Sequence, residues 1–150
     1  MMNKRISIKT KVGWISAFED RGKILFIKFG KIKKQSKSTT LLNFKKNLHK
    51  FFNGKTNLIK ARYKLTGSQI QKKIWNELKN IKIGHTKSYG EIAQKYNLSP
   101  RHVGKICGQN KLPLIIPCHR VIRSDGSLGG FSGSGGINLK KKLLKFEKKN

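Results

Sequence analysis

The sequence predicts an α+β chain in two parts, a small N-terminal α/β unit and a mostly helical C-terminal half built on a helix-turn-helix. Three observations carry that prediction. Residues 12–18 and 24–29 are short β-prone runs on either side of Asp20-Arg21-Gly22-Lys23, a hairpin signal with glycine in the turn. From about residue 66 the apolar positions recur instead at helical spacing. Within that half, Ser88-Tyr89-Gly90-Glu91 and Ser99-Pro100 open two short helices separated only by the turn at Asn97-Leu98.

In the first half the two strands should pair as a hairpin. Leu41, Phe44, Leu48, Phe51 and Phe52 then recur at helical spacing from Thr39 onward, which predicts an amphipathic helix that ends at Asn53-Gly54 and covers one sheet face. Nothing here carries recognisable chemistry. Residues 1–62 are therefore expected to form a scaffold domain, with a connector over about 55–65.

Residues 66–150 are the second expected domain. Ile70, Ile74, Trp75 and Leu78 form one helical stripe after Thr66-Gly67, with Gly84 as its expected stop. The Ser88 capping box opens a short helix with Ile92, Ala93 and Tyr96 inward. Proline at the first position after the Ser99 cap opens the next, with Val103, Ile106 and Cys107 inward and Arg101, His102, Gly104 and Lys105 outward. Such a pair is either a nucleic-acid-reading helix-turn-helix or a helix hairpin with a solvated charged face. Gly104 favours the first, because a glycine on an exposed helical face costs about 1 kcal/mol yet lets a partner approach the backbone. Cys107 reads as ordinary packing. Ser124-Asp125-Gly126 reads as a turn, and 129–136 is a glycine-rich loop around Phe131, either a linker or a pocket wall whose amides meet a flat ligand. In the last helix Leu139, Leu143 and Phe146 share a stripe with Glu147, which is either a frayed end in solvent or a buried carboxylate with a partner.

The 150 residues carry a formal charge of +29, from 35 Lys plus Arg against 6 Asp plus Glu, which points to a polyanionic partner, nucleic acid first. Only six of the basic residues are arginine (Arg5, Arg21, Arg62, Arg101, Arg120, Arg123), so A/T-rich codon usage accounts for part of the excess. The scarce acids become candidates for specific jobs. No apolar run has the length of a signal peptide core or a membrane span, so a cytoplasmic protein with no membrane partner is expected. Two cysteines in a reducing compartment argue against a disulfide, and four histidines without paired spacing argue against a metal.

Residues 114–122, Leu-Ile-Ile-Pro-Cys-His-Arg-Val-Ile, organise the rest. Pro117 has no amide hydrogen, so a regular strand ladder cannot pass through Cys118 and the backbone must turn there. A small hydrophobic cysteine in a core segment is the plain reading of Cys118. Against it, His119 and Arg120 in an apolar run cost folding energy unless both find partners, and such local conflicts concentrate at functional sites.

Ile116-Pro117-Cys118-His119-Arg120-Val121, backed by Ser88-Tyr89-Gly90-Glu91, Ser99-Pro100-Arg101, Asn110, Gly130-Phe131-Ser132 and Leu143-Leu144-Lys145-Phe146-Glu147, resembles the methylated-DNA–protein-cysteine methyltransferases, the O6-alkylguanine-DNA alkyltransferase family. The resemblance is close over 66–147, while the N-terminal part matches only in layout. It implies a ribonuclease-H-like α/β domain followed by a winged helix-turn-helix domain. It further implies a DNA repair protein that flips O6-alkylguanine, and possible O4-methylthymine, from duplex DNA and moves the alkyl group irreversibly to Cys118. His119, acting through a water, and Glu147 would form a relay lowering the thiol pKa. Asn110 would hold the turns around the site, Tyr89 would press on the 3′ phosphate and contact the base, and Arg101 would replace the flipped nucleotide in the stack. Backbone at Val121 and Ser132 would read the guanine edge, Phe131 would wall the alkyl pocket, and Gly104 with Lys105 would face the minor groove. The implied partner is double-stranded DNA carrying O6-alkylguanine, bound by a monomer with no cofactor and no metal.

Two departures stand out: Lys111 where the family usually has proline after the asparagine, and Phe131 where it often has tyrosine. With no cysteine before Cys107, neither the zinc site of some relatives nor the phosphotriester-sensing domain of adaptive-response proteins is expected. Two other classes stay open. The first is a non-catalytic DNA-binding module, either a lesion sensor of the alkyltransferase-like group, whose members lack the cysteine present here, or a simple helix-turn-helix regulator. A cysteine hydrolase would need its histidine to reach the thiol directly, which adjacent residues rarely allow.

Overall fold

The computed structural model describes residues 4–129 and 136–148, and is α+β. The chain divides into two compact units, Met1–Leu65 and Thr66–Asn150.

Three antiparallel strands, β1 (Lys4–Thr10), β2 (Gly13–Asp20) and β3 (Lys23–Phe29), make the first sheet in the order β1-β2-β3. The β2–β3 hairpin turns where expected. Arg21 and Gly22 both take positive φ (53° and 81°), the primed-turn geometry whose twist matches the flanking strands. Strand β1 is absent from the sequence reading: Lys4, Arg5 and Lys9 surround its two buried isoleucines, Ile6 and Ile8, and mask the alternation. Helix α1 (Thr39–Phe52) starts at Ser38, whose hydroxyl accepts from the Leu41 amide, and buries all five expected residues against the three strands. The connector also joins the sheet. Ile24 donates to the Arg62 carbonyl at 2.7 Å and accepts from the Lys64 amide at 3.0 Å, so this unit runs past the expected end at 62 to Leu65.

In the second unit, α2 (Gln69–Lys79) opens on a Ser68–Gln71 capping box and buries Ile74, Trp75 and Leu78. It stops at Asn80, well before Gly84; that glycine (φ 81°) instead serves a later turn closed by the His85 amide on the Lys82 carbonyl at 3.0 Å. Helices α3 (Tyr89–Tyr96) and α4 (Pro100–Gly108) have the expected caps at Ser88 and Ser99, and Asn97 takes the left-handed conformation between them. The Trp75 indole donates to the Ile106 carbonyl at 3.0 Å and ties α2 to α4. Two very short strands, β4 (Lys87–Ser88) and β5 (Val121–Ile122), pair in parallel and bring the start of α3 beside the signature stretch. Glu77 is buried at the centre of a small cage. Its carboxylate accepts from Lys95 and the Tyr96 hydroxyl at 2.8 Å and from Lys87 at 2.9 Å, and the Lys95 hydrogen bond chiefly holds its pKa at about 2. Helix α5 (Gly136–Lys148) packs on a short 3-10 helix over Cys118–Arg120.

Candidate active site

The loop before Cys118 is held by one side chain. Asn110 donates through Nδ2 to the Ile116 carbonyl at 2.8 Å and accepts at Oδ1 from the Leu112 amide at 2.9 Å. Leu114, with φ at 77°, sits in a backbone region that costs a non-glycine residue on the order of 1 kcal/mol or more and persists only where neighbours over-determine it. After Pro117 the chain makes the expected turn, a single 3-10 helix in which the Arg120 amide donates to the Pro117 carbonyl at 3.0 Å.

Cys118 is 6% exposed and lines a cavity of about 780 Å³, together with Tyr89, Arg101, Gly104, Cys107 and Arg123. That volume suits a small organic ligand. Burial pushes the Cys118 thiol up, while a hydrogen bond from Asn110 and the nearby Lys140 charge pull it down. Cys107, expected to be ordinary packing, is buried but shares this cavity, and burial pushes its thiol up to about 12. Gly129 packs flat against Tyr89. A Cβ there would lie 2.6 Å from the Tyr89 ring, so only glycine fits. A Cβ on Gly104 would meet the same ring at 3.8 Å, ordinary contact, so the cavity side of α4 is open beside Tyr89.

The two residues that follow Cys118 in this turn belong to a buried charged cluster. Glu147 is 1% exposed, which decides between its two readings in favour of the buried carboxylate. Its Oε2 meets His119 Nε2 at 2.8 Å and Arg120 donates to both oxygens at 2.8 Å, with a further guanidinium N–H on the Ile81 carbonyl at 2.7 Å. Burial pushes the Glu147 carboxyl up, but the Arg120 and His119 hydrogen bonds outweigh it and hold the group at about 2. Burial also lowers His119, against the pull of Glu147, which favours a neutral imidazole. His119 Nδ1 is a buried polar atom with no partner among the described residues.

Lys140 went unnoticed in the sequence, yet its side chain is fully buried. Nζ donates to the Val121 carbonyl at 2.6 Å and to the Tyr89 hydroxyl at 3.3 Å, and lies 5.6 Å from the Tyr89 ring centroid. A signal existed: Lys140 stands two helical turns before Glu147, on the same stripe. It was hidden in the run Lys140-Lys141-Lys142, whose members look alike until one is buried.

Cys118, Tyr89, Arg101 and Gly104 thus meet at one cavity, whereas Asn110, His119, Glu147 and Val121 do not line it; Asn110 reaches Cys118 by a hydrogen bond, and His119 and Glu147 bind each other. Lys105 is exposed on α4 and does not line the cavity. Phe131 and Ser132 lie outside the described residues. Among the described residues no cluster has metal-binding composition, and no helix is long and apolar enough to cross a membrane.

Comparison with known proteins places the chain among relatives of known name and fold. A methylated-DNA–protein-cysteine methyltransferase of Methanocaldococcus vulcanius is 53% identical over 85 residues, 57% of this chain and 51% of that protein. The chain therefore matches about half the length of this curated relative. The crystal structure of Mycobacterium tuberculosis O6-methylguanine methyltransferase superposes with a TM-score of 0.86 at 28% identity, covering 99% of this chain and 94% of that one. Mycobacterium tuberculosis OGT in complex with DNA superposes at 0.85, also at 28% identity, over 97% and 93% of the two chains. The family model described as 6-O-methylguanine DNA methyltransferase, DNA binding domain, matches residues 69–149, more than half of the sequence, and the chain belongs to that family.

Proposed function

We propose that this protein repairs alkylated DNA by flipping O6-alkylguanine out of the duplex and moving the alkyl group to Cys118 Sγ. The observation that carries this reading is a buried thiol in a cavity bordered by the exposed first turn of α4, followed in the same 3-10 turn by His119 and Arg120, which both bind the buried Glu147. In the proposed step the thiol proton passes through a water to the free Nδ1 of His119, and the imidazolium so formed is stabilised by Glu147. The Sγ lone pair then attacks the alkyl carbon as its bond to guanine O6 breaks. Guanine leaves with the bonding electrons and takes a proton back from His119, and the S-alkylcysteine remains, so each molecule acts once. Lys140, whose charge favours the Cys118 thiolate, and Asn110, through its hydrogen bond, offset part of the burial penalty on that thiolate.

In the same reading the N-terminal unit is a ribonuclease-H-like scaffold and residues 66–150 are a winged helix-turn-helix domain that docks in the minor groove as a monomer. Gly104 and Lys105 face the groove, Tyr89 meets the flipped base and its 3′ phosphate, and Arg101 takes the vacated place in the stack. Val121, Phe131 and Ser132 complete the base pocket. No cofactor enters the reaction, and the expected location is the cytoplasm. The test is intact-protein mass after incubation with an O6-methylguanine oligonucleotide: one CH2 gained per molecule, on Cys118, even with substrate in excess. Repeated turnover would refute it.

Two measurements probe the DNA side. If lysines neutralise several phosphates, log affinity should fall with log salt at about −0.9 per contact, and a flat response would leave the +29 charge without a role in binding. Arg101→Ala should slow repair of duplex lesions roughly tenfold more than transfer from the free alkylated base, because a flipped base pays for unstacking only in a duplex. Equal losses on both substrates would remove Arg101 from the stack.

A further inference from the structure

Arginine is the rarer cation in this chain, six of 35 basic residues, so its use over lysine calls for a reason at each position. Some of those reasons are plain. Arg5 sits 5.5 Å from the Phe18 ring centroid, Arg120 binds Glu147 with two nitrogens, and Arg101 lines the cavity from the first turn of α4. Arg123 has no such account yet. It follows β5 directly, is exposed, and lines the same cavity as Cys118.

Its backbone is fixed on both sides. The Arg123 amide donates to the Ser127 carbonyl at 2.9 Å, and its carbonyl accepts from the Gly126 amide at 2.9 Å. Asp125 is the nearest acid in sequence, but its Oδ1 already accepts from the Ser127 amide at 2.9 Å and hydroxyl at 2.6 Å. Among the described residues no salt bridge or side-chain hydrogen bond engages the Arg123 guanidinium. The result is a cation without a salt bridge among the described residues, on a turn closed by two backbone hydrogen bonds at the wall of the cavity, and its charge is felt at Asp125, Tyr89 and Lys140.

We infer that Arg123 is a phosphate-binding residue, gripping a backbone phosphate beside the nucleotide whose base enters the Cys118 cavity. This rests on the base-flipping reading above. A base that enters such a cavity leaves its own flanking phosphates at the mouth, and a guanidinium presents two parallel N–H donors that match phosphate oxygens where an ammonium offers a point charge. Arg101 and Arg123 come from different elements, so the two cations divide the work: one fills the stack, the other holds the displaced backbone.

The experiment uses the full chain with Cys118→Ser to prevent turnover, a labelled duplex carrying O6-methylguanine, and affinity measured across a salt series. Arg123→Gln should weaken binding roughly tenfold and lower the log-log salt slope by about 0.9, one phosphate contact. Arg123→Lys should recover the slope. Lys72→Gln, which removes an exposed charge on α2 away from the cavity, should change the slope less. The inference is overturned if Arg123→Gln keeps the parent slope, if Lys72→Gln matches it, or if Arg123→Lys is as weak as Arg123→Gln, since that would make the loss structural. The mass measurement on the Cys118-containing parent reads alkyl transfer separately, so a failed transfer reaction and a failed phosphate contact give different results.

Discussion

Cys118→Ser is expected to abolish alkyl transfer, with a loss on the order of 10⁴-fold or more, while DNA affinity stays within about threefold of the parent. Serine is nearly isosteric with cysteine, and the exposed residues of α4 are untouched. The hydroxyl is a far weaker acid than the thiol, so the neutral His119 that suffices for a thiol cannot ionise it. Single-turnover assay and intact mass read the first effect, and a salt-controlled binding curve reads the second. Residual transfer within tenfold of the parent, or a methyl group found on Cys107 in the parent, would move the acceptor elsewhere. Cys107 shares the cavity and burial pushes its thiol up to about 12, whereas at Cys118 an Asn110 side-chain hydrogen bond offsets part of the burial.

Glu147→Gln should be the most costly substitution for stability. It keeps the shape but removes the carboxylate that binds Arg120, a residue 5% exposed, and an uncompensated buried charge costs about 3–5 kcal/mol. The effect depends on pH. Glu147 is depressed from 4.5 to about 2, so the fold gains from its ionisation above the unfolded value and loses that gain as pH falls from about 4.5 toward 2, about 3 kcal/mol in all. Urea unfolding of parent and mutant between pH 7 and pH 3 should show their stabilities converging as pH falls. Part of the acid sensitivity should survive in the mutant, since Glu77 is also held at about 2. In transfer assays at a temperature where the mutant is folded, the rate should drop at neutral pH and recover partly at alkaline pH, where less help is needed to ionise Cys118. Superimposable pH–rate profiles would mean that Glu147 supports the fold and not the relay.

The scarcity of acids proved informative. Glu91 completes the Ser88 capping box, Asp125 orders the turn after Arg123, Glu77 gathers Lys87, Lys95 and Tyr96, and Glu147 binds His119 and Arg120. Sequence spacing identified the first two, because a capping box and an Asx turn close within a few residues. It also flagged Glu147 as a carboxylate on an apolar stripe, without saying whether that stripe was covered. Glu77 gave no warning, since its partners lie ten to nineteen positions away.

By itself, then, the sequence determined the local geometry of this protein: the hairpin turn at Asp20-Arg21-Gly22-Lys23, the amphipathic helix α1, the capped helices α3 and α4, the break at Pro117, and the signature that carries the family resemblance. These follow from interactions between residues close along the chain, where dihedral preferences and capping hydrogen bonds are set by neighbours. Only the tertiary structure decided which of many lysines is buried, that Arg120 and His119 converge on one carboxylate, that Cys107 and Arg123 border the Cys118 cavity, and that β4 and β5 meet across more than thirty residues. The physical reason is that burial and charge pairing depend on which distant surfaces pack together, and that choice leaves no periodic mark on a Lys-rich sequence.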